Sequence, residues 1–284
     1  MPLDQIDVDK IDSDQKNGQE EKEMTFLEHL EELRWHLVRA ISSILIFAIA
    51  AYLGGTPFFE LIFYSPKLPD FPTYKLISKI IPGFEPQHFD LITKGLAESF
   101  LVHIKASIML GFMMSFPYIL WEVWRFVKPG LYDNERKAAR GFVFICTFLF
   151  TAGVLFGYFV IAPFAIKFLT SYDMGAINAP TLDSYVTYMI MFTLPTGIIF
   201  QLPVLVFFLT KIGLIDAEFM RTYRRHAVVL ILVLSAMITP PDVITQFLIS
   251  IPLFFLYELS ISIAKRVKAQ EEEMEKKEQG LTKA

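Results

Sequence analysis

The chain has 284 residues, of which 54% are hydrophobic and only 20% are charged, and 28 of them are phenylalanine. This composition excludes a soluble globular domain, which carries about 25% charged residues, and the mean hydropathy of +0.45 indicates an integral membrane protein. The formal net charge of −4 indicates no particular partner, because residues 24–264 contain 17 acidic and 17 basic residues and the excess of acid lies mostly in the N-terminal tail.

Both ends of the chain are predicted to be solvated tails. Residues 1–23 contain eight acidic residues and three lysines without an apolar core, which is typical of a disordered segment. Residues 265–284 form a second charged tail, and within it we expect the same behaviour of "KAQEEEMEKKEQGLTKA", residues 268–284. The part in between, residues 24–264, is predicted to be one membrane domain.

Six apolar stretches in this domain are candidates for membrane-spanning helices. A helix needs about 20 apolar residues to cross a hydrocarbon core of roughly 30 Å. The predicted spans are residues 37–53, 98–120, 141–166, 184–210, 227–239 and 243–257. We therefore predict an all-α polytopic membrane protein.

The fifth and sixth predicted spans are unusually short. The fifth has 13 residues, which as a helix reach about 20 Å, and only "PPD" separates it from the sixth. We expect a stunted hairpin whose tip, residues 239–242, lies below the far membrane surface or coincides with a thinner bilayer. On the same side, residues 54–95 contain six prolines and are too long for a tight turn, so we expect a structured cap.

Prolines inside the predicted spans are expected to bow the helices, because each one removes a helix hydrogen bond. We therefore expect a concave bundle. No internal repeat is apparent, which argues against an inverted-repeat transporter. The five prolines are Pro117, Pro163, Pro195, Pro203 and Pro252.

The distribution of lysine and arginine predicts the orientation in the membrane. The segment through Arg39, residues 121–140, residues 211–226 and the C-terminal tail contain five, five, four and six basic residues. The three loops at the opposite side contain four, one and none. Because basic segments stay in the cytoplasm, both termini are predicted to be cytoplasmic, in agreement with an even number of spans.

The stretch "MTFLEHLEELRWHLVRA", residues 24–40, is predicted to be an amphipathic cytoplasmic helix that continues into the first span. Its "TFLE" has the pattern of a capping box formed by Thr25 and Glu28. The charged residues admit two interpretations, a solvated face with local pairing of Glu31 and Arg34, or a binding surface. One face of this helix is an apolar stripe that consists of Phe26, Leu30, Leu33 and Leu37. The residues that lie largely off this stripe are Glu28, Glu31, Glu32 and His36.

Four motifs in order along the chain resemble the TatC family, the C subunit of the twin-arginine protein translocase. They are "HLEELR" at 29–34, "FPYILWEVWRFVKPGLYDNER" at 116–136, "FQLPV" at 200–204 and "TPPDVITQ" at 239–246. Four motifs in this order, within six spans of the right spacing, make the resemblance highly specific. It covers nearly all of residues 24–264.

The resemblance implies a curved, glove-like bundle of six helices with short fifth and sixth helices, and a receptor instead of an enzyme. Members of the family lie in the bacterial cytoplasmic (inner) membrane and bind the paired-arginine signal peptides of folded precursor proteins at their cytoplasmic face. They assemble with single-span TatA- and TatB-type subunits for export driven by the proton-motive force. Other copies of the chain and membrane lipid are further expected partners, whereas nucleic acid and cofactors are not expected.

The resemblance also implies which residues bind the signal peptide. Glu32 and Glu135 match two glutamates tied to arginine recognition, and Phe126 with Leu131 offers an apolar surface beside them. Arg34 of the first motif belongs to the same expected surface. A carboxylate can bind the planar guanidinium through two hydrogen bonds, an arrangement that lysine cannot copy.

Plainer interpretations of these residues stay open from the sequence. Glu135 has basic neighbours in Arg136 and Lys137, and a surface ion pair with either contributes little. Trp121 and Trp124 are typical of membrane-interface anchors.

Three polar residues further along the chain are candidates for partner contact or transport. Gln201 lies deep in the fourth span, where relatives often carry a glutamate, and glutamine does not titrate. Its other interpretation is an interhelical hydrogen bond. Asp242 and Gln246 flank the start of the sixth helix, which Asp242 is also suited to cap.

Other kinds of chemistry find little support in the sequence. Lys105 is expected to extend from the second span toward the surface. The single cysteine, Cys146, excludes an internal disulfide, and five scattered histidines form no metal-ligand cluster. A secondary transporter is the main competing interpretation, but the third and fourth spans lack the buried charges that it needs. A membrane enzyme would need a nucleophile–base pair or a metal site, and neither is evident.

Overall fold

The computed structural model describes residues 26–80, 89–127, 139–171, 179–238 and 243–282. These residues are almost entirely helical, and an isolated bridge joins Ile92 to Thr181. The helices are α1 (Phe26–Leu53), α2 (Gly55–Phe59), α3 (Pro72–Ile80), α4 (Glu98–Val127), α5 (Ala139–Phe156), α6 (Ala162–Ser171), α7 (Leu182–Ile199), α8 (Leu202–Lys211), α9 (Ala217–Thr222), α10 (Arg224–Ile238) and α11 (Val243–Thr282).

Six helical segments of this chain correspond to the six predicted spans. They are α1, α4, α5 with α6, α7 with α8, α10 and α11. All except α10 are long and apolar enough to cross a membrane. With 15 residues, α10 reaches about 22 Å, so the all-α polytopic architecture and the short fifth helix are confirmed.

The sixth helix differs from its predicted end. It begins at Val243 as expected, but α11 does not stop near Tyr257 and continues for 40 residues to Thr282. The expectation of a disordered C-terminal tail was therefore wrong for residues 268–282. The physical reason is the composition, because no proline or glycine lies between Pro252 and Gly280 and the tail is rich in good helix formers. The N-terminal tail, residues 1–23, lies outside the described residues.

Two of the five prolines mark places where a span is interrupted. A π-helical turn, Gly157–Ile161, separates α5 from α6 just before Pro163, and Pro203 lies in the first turn of α8. Because Pro163 has no N–H, the carbonyl of Phe159 loses its helical partner. The Thr73 hydroxyl of α3 donates a hydrogen bond to that carbonyl instead. The other three prolines lie within α4, α7 and α11.

The segment after the first span forms the expected structured cap, as far as it is described. Its Phe63 is 1% exposed and belongs to the protein core. Two tyrosine hydroxyls donate to its backbone carbonyls, Tyr158 to Ile62 over 2.6 Å and Tyr185 to Phe63 over 2.8 Å. The third and fourth spans therefore hold the cap in place.

Glycines allow the closest helix crossings. A methyl group on Gly111 would lie 2.5 Å from the backbone nitrogen of Ala48, where α1 crosses α4. A methyl group on Gly157 would collide with the carbonyl oxygen of Phe192 on α7. Small residues are typical of membrane helix interfaces because no hydrophobic force drives the helices together in lipid, so close backbone contact has to stabilise them.

An ion pair joins the second and fourth spans near the cap. Lys105 donates to Asp183 and, over 3.0 Å, to the hydroxyl of Thr187. The carboxylate of Glu98 accepts hydrogen bonds from the backbone N–H groups of Lys94, at 2.6 Å, and Asp183, at 3.1 Å. Lys105 therefore binds a neighbouring helix and does not simply extend toward the surface, since an acidic partner lies within its reach.

The glycine crossing at the π-helical turn gives a stability prediction. Gly157→Leu is expected to lower the free energy of unfolding by about 1–3 kcal/mol, because α5 and α7 have to separate to admit the side chain. Unfolding of the detergent-solubilised protein in a denaturant titration measures this. Gly141→Leu is the matched control, because nothing lies within 4 Å of a methyl group placed there. Equal stability of the two variants would contradict the assigned crossing.

Candidate functional site

The candidate site lies where the beginning of α1 meets the end of α4. These two helices pack against each other along their length. Glu32 lies in the second turn of α1, and Phe126 is next to last in α4. The predicted second span ended at Leu120, but α4 continues for two more turns and brings Glu122 and Phe126 onto the helix.

Glu122 is a buried carboxylate at this interface, with 2% of its surface exposed. Its Oε2 lies 2.5 Å from Nδ1 of His36, which donates the hydrogen bond. Arg39 and Arg125 approach its two oxygens at 3.7 and 3.9 Å, and Tyr118 adds a hydrogen bond. A buried charge is tolerated only with such partners, so these contacts compensate the carboxylate.

His36 connects the buried carboxylate to Glu32. Its Nε2 lies 3.9 Å from Oε1 of Glu32, one helical turn earlier. The second oxygen, Oε2, is buried and has no hydrogen-bond partner among the described residues. The ring of Phe126 packs edge-on against His36, with centroids 6.1 Å apart. Glu32, His36, Glu122 and Phe126 therefore form one contiguous group, called the Glu32 cluster below.

The polar side of α1 faces the protein at this place. His36 is 6% exposed, whereas Leu37 of the predicted apolar stripe is 57% exposed. The interpretation of these polar residues as a merely solvated face was therefore wrong for His36. In a membrane protein the outside is lipid, so apolar side chains can face outward and polar ones gain by pairing inside.

The remaining residues predicted for signal-peptide binding are placed only in part. Arg34 is exposed on α1, and it makes no ion pair with Glu31 within the described chain. Leu131 and Glu135 lie outside the described residues, so their positions stay predictions. Trp121 is 56% exposed at the end of α4, as an interface anchor would be, and the ring of Trp124 lies 6.3 Å from that of Phe208.

The two predicted glutamines each join neighbouring spans. Gln201 lies in the turn between α7 and α8, and its Nε2 donates to the carbonyl of Cys146 on α5 over 2.9 Å. Gln246 of α11 donates to the carbonyl of Leu232 on α10 over 3.1 Å. Gln201 thus makes the interhelical hydrogen bond considered from the sequence. The bond of Gln246 was not predicted. Asp242 lies outside the described residues.

His36 and Glu122 were not predicted from the sequence to be site residues. Glu122 was assigned to the segment joining two spans, and His36 to the solvated side of a helix. One signal was available, because an ionisable residue at membrane depth is by default a functional candidate and Glu122 lies one helical turn before Phe126. Nothing in the sequence indicated that His36 would meet it, since 86 residues separate the two.

The described residues contain no group of three or more histidine, cysteine, aspartate and glutamate side chains that could hold a metal ion. The polar contacts within the Glu32 cluster are hydrogen bonds and interactions between charged groups. The acidic group of Glu32 lies in the same cluster as the aromatic ring of Phe126 at one end of the bundle, and this arrangement is suited to a cationic ligand.

Comparison with known proteins identifies the family. The family model described as Sec-independent protein translocase protein (TatC) matches residues 28–252. The chain belongs to the TatC family. The resemblance found in the four motifs is therefore confirmed, and the chain is a multi-pass membrane protein of a protein translocase.

Curated relatives match over most of their length. The TatC protein of Blattabacterium sp. subsp. Periplaneta americana is 37% identical over 86% of this chain and 96% of that protein. That of Carboxydothermus hydrogenoformans is 36% identical over 91% of this chain and its own full length, 100%.

A solved structure agrees with the fold as well. The crystal structure of a Twin Arginine Translocase Receptor, TatC, has a TM-score of 0.67 and 33% identity, and it covers 85% of this chain and 100% of its own. The six-helix, glove-like TatC architecture expected from the resemblance is confirmed by this match.

Proposed function

We propose that this TatC chain is the core subunit of a twin-arginine translocase in the bacterial cytoplasmic membrane. It binds the signal peptides of folded precursors at a surface formed by Glu32, Arg34, Phe126, Leu131 and Glu135. The solved relative is called a twin-arginine translocase receptor, which supports this proposal. Its role is transport and not catalysis.

The unsatisfied acceptor of Glu32 is the observation that carries this proposal. Its Oε2 has no hydrogen-bond partner among the described residues, and Oε1 has only the imidazole at 3.9 Å. A guanidinium provides donors for both oxygens at once, and a hydrogen bond to a charged group contributes about 1.5–3 kcal/mol. The ring of Phe126, which packs edge-on against the imidazole, adds an apolar group beside Glu32 for the apolar residues of the peptide.

The end of the bundle that carries Glu32 is assigned to the cytoplasm. Arg39 and Arg125 lie there. Further along, Arg224 of α10 binds Glu258 over 2.8 Å, and Lys268 of α11 approaches Asp216 at 3.5 Å. Basic residues concentrate at this end of the bundle, which supports a cytoplasmic position for both the N-terminus and the C-terminus.

The partners are single-span TatA- and TatB-type subunits and further copies of the chain, and the proton-motive force drives export. An apolar groove along α10 and α11 is suited to a partner helix, because α10 is too short to cover α11 fully. Gln246, Asp242 and Gln201 serve partner contact or transport. The groove is lined by Val228, Ile231, Leu232, Phe247, Ser250, Ile251, Phe254 and Phe255.

Site-specific photocrosslinking tests the receptor proposal. Probes at positions 32, 126 and 135 are expected to label a precursor that carries two consecutive arginines, because these side chains contact its signal peptide. A precursor with two lysines at the same positions is the matched control and should label weakly, since lysine lacks the planar fork. Equal labelling by both precursors would contradict arginine recognition at these residues.

A separate prediction concerns Gln201. Gln201→Leu removes the hydrogen bond to the Cys146 carbonyl and the polar group itself, at a cost of about 0.6–2 kcal/mol to the helix contact. Assembly or export is expected to fall more than precursor binding, because the residue lies away from the Glu32 cluster. Export assays and precursor pull-downs on the same membranes measure both. Normal export in this variant would remove Gln201 from the functional residues.

A further inference from the structure

The arrangement of Glu32, His36 and Glu122 has a consequence for how an arginine enters the site. The imidazole lies between two carboxylates, with Nδ1 toward the buried Glu122 and Nε2 toward the partly exposed Glu32. The buried carboxylate holds Nδ1 in its protonated form by accepting its hydrogen bond. The charge of His36 therefore depends on the proton at Nε2, the nitrogen that faces Glu32.

We propose that His36 and Glu122 are positioning residues of the peptide site, and that binding of an arginine to Glu32 releases the Nε2 proton of His36. This inference rests on the proposed function, because it takes Glu32 to be an arginine ligand. In the empty receptor the imidazolium is the counter-ion of Glu32. In the occupied receptor the guanidinium replaces it, the Nε2 proton leaves to water, and Nδ1–H stays bonded to Glu122.

The surrounding charges favour this exchange at His36. Arg39 and Arg125 approach the oxygens of Glu122, and Tyr118 also hydrogen-bonds Glu122. Within the described chain, Nε2 of His36 is the one basic group that lies within 4 Å of a Glu32 oxygen. A guanidinium at Glu32 would therefore lie nearest to the charge of His36, and loss of one proton removes the repulsion between these two groups.

The release of a proton makes arginine binding dependent on pH. An imidazole gains or loses its charge between about pH 5 and pH 8. In that range, a ligand that displaces one proton binds more tightly as the pH rises, by up to about tenfold per pH unit on the acidic side. A histidine with a purely structural role would not give this slope.

Isothermal titration calorimetry on the purified full-length chain in lipid nanodiscs tests this. The probe is a twin-arginine signal peptide with a blocked N-terminus and no histidine. We expect affinity to rise from about pH 5 to about pH 8, with release of up to about one proton per peptide, measured in buffers of different ionisation enthalpy. Affinity that is independent of pH, with no proton released, would overturn the inference.

Variants separate His36 from other titrating groups. His36→Gln is expected to abolish the pH slope and the proton release. His226→Gln is the matched control, because His226 is exposed on α10 and its ring lies near that of Tyr223 alone among the described rings, 5.5 Å away and tilted. Its loss should therefore leave the slope unchanged. A slope that persists in His36→Gln, or that disappears in His226→Gln, would refute the assignment.

A double variant distinguishes the loss of the titrating imidazole from a folding defect. His36→Gln alone leaves Glu122 buried with fewer partners, which can destabilise the contact between α1 and α4. His36→Gln combined with Glu122→Gln keeps a neutral polar pair, and it is expected to bind the peptide without a pH slope. A retained slope there would overturn the inference. If the unmodified chain binds no twin-arginine peptide at any pH, the proposed function itself fails.

Discussion

A polar side chain that leaves water for the hydrocarbon layer of a membrane needs a partner, and this requirement decides which helices of the bundle meet. Glu122 and His36 join the first span to the second, and Lys105 and Asp183 join the second to the fourth. Gln201 adds a bond between the fourth and third spans. Because an unpaired polar group at this depth costs several kcal/mol, these few contacts select one packing among many apolar alternatives.

The same requirement explains why the candidate site stands at one end of the bundle. The carboxylate of Glu122 is fully compensated, whereas that of Glu32 retains an oxygen without a partner in the described chain. The neighbouring Phe126 and the apolar outer face of α1 give this acidic group a drier environment than bulk water, which strengthens its attraction for a cation. The helix pair thus holds in place a carboxylate of which one oxygen lacks a hydrogen-bond partner among the described residues.

Much of the architecture could be predicted from the sequence. The spans, their order and the short fifth helix could be predicted from runs of apolar residues, because these runs are long enough to be recognised in the sequence. The prolines predicted a distortion of the third span, but not the π-helical turn before Pro163 or the hydrogen bond that Thr73 of the cap donates to the carbonyl of Phe159. Family motifs gave Glu32 and Phe126. The helix formed by residues 268–282 was not predicted, because the high charge of this stretch was taken as a sign of disorder although its residues are good helix formers.

By itself, the amino-acid sequence determined the class of protein, the number of spans, the side on which basic residues collect and the motifs of the TatC family, since all of these are properties of single segments. Only the tertiary structure decided that His36 would lie between Glu32 and Glu122, and that Lys105 would find Asp183. The physical reason is that a pairing between distant residues depends on the rotation and crossing of two helices. The close contact between Gly111 and Ala48 lies at the crossing of α1 and α4, and neither segment by itself determines which residue of the other it will meet.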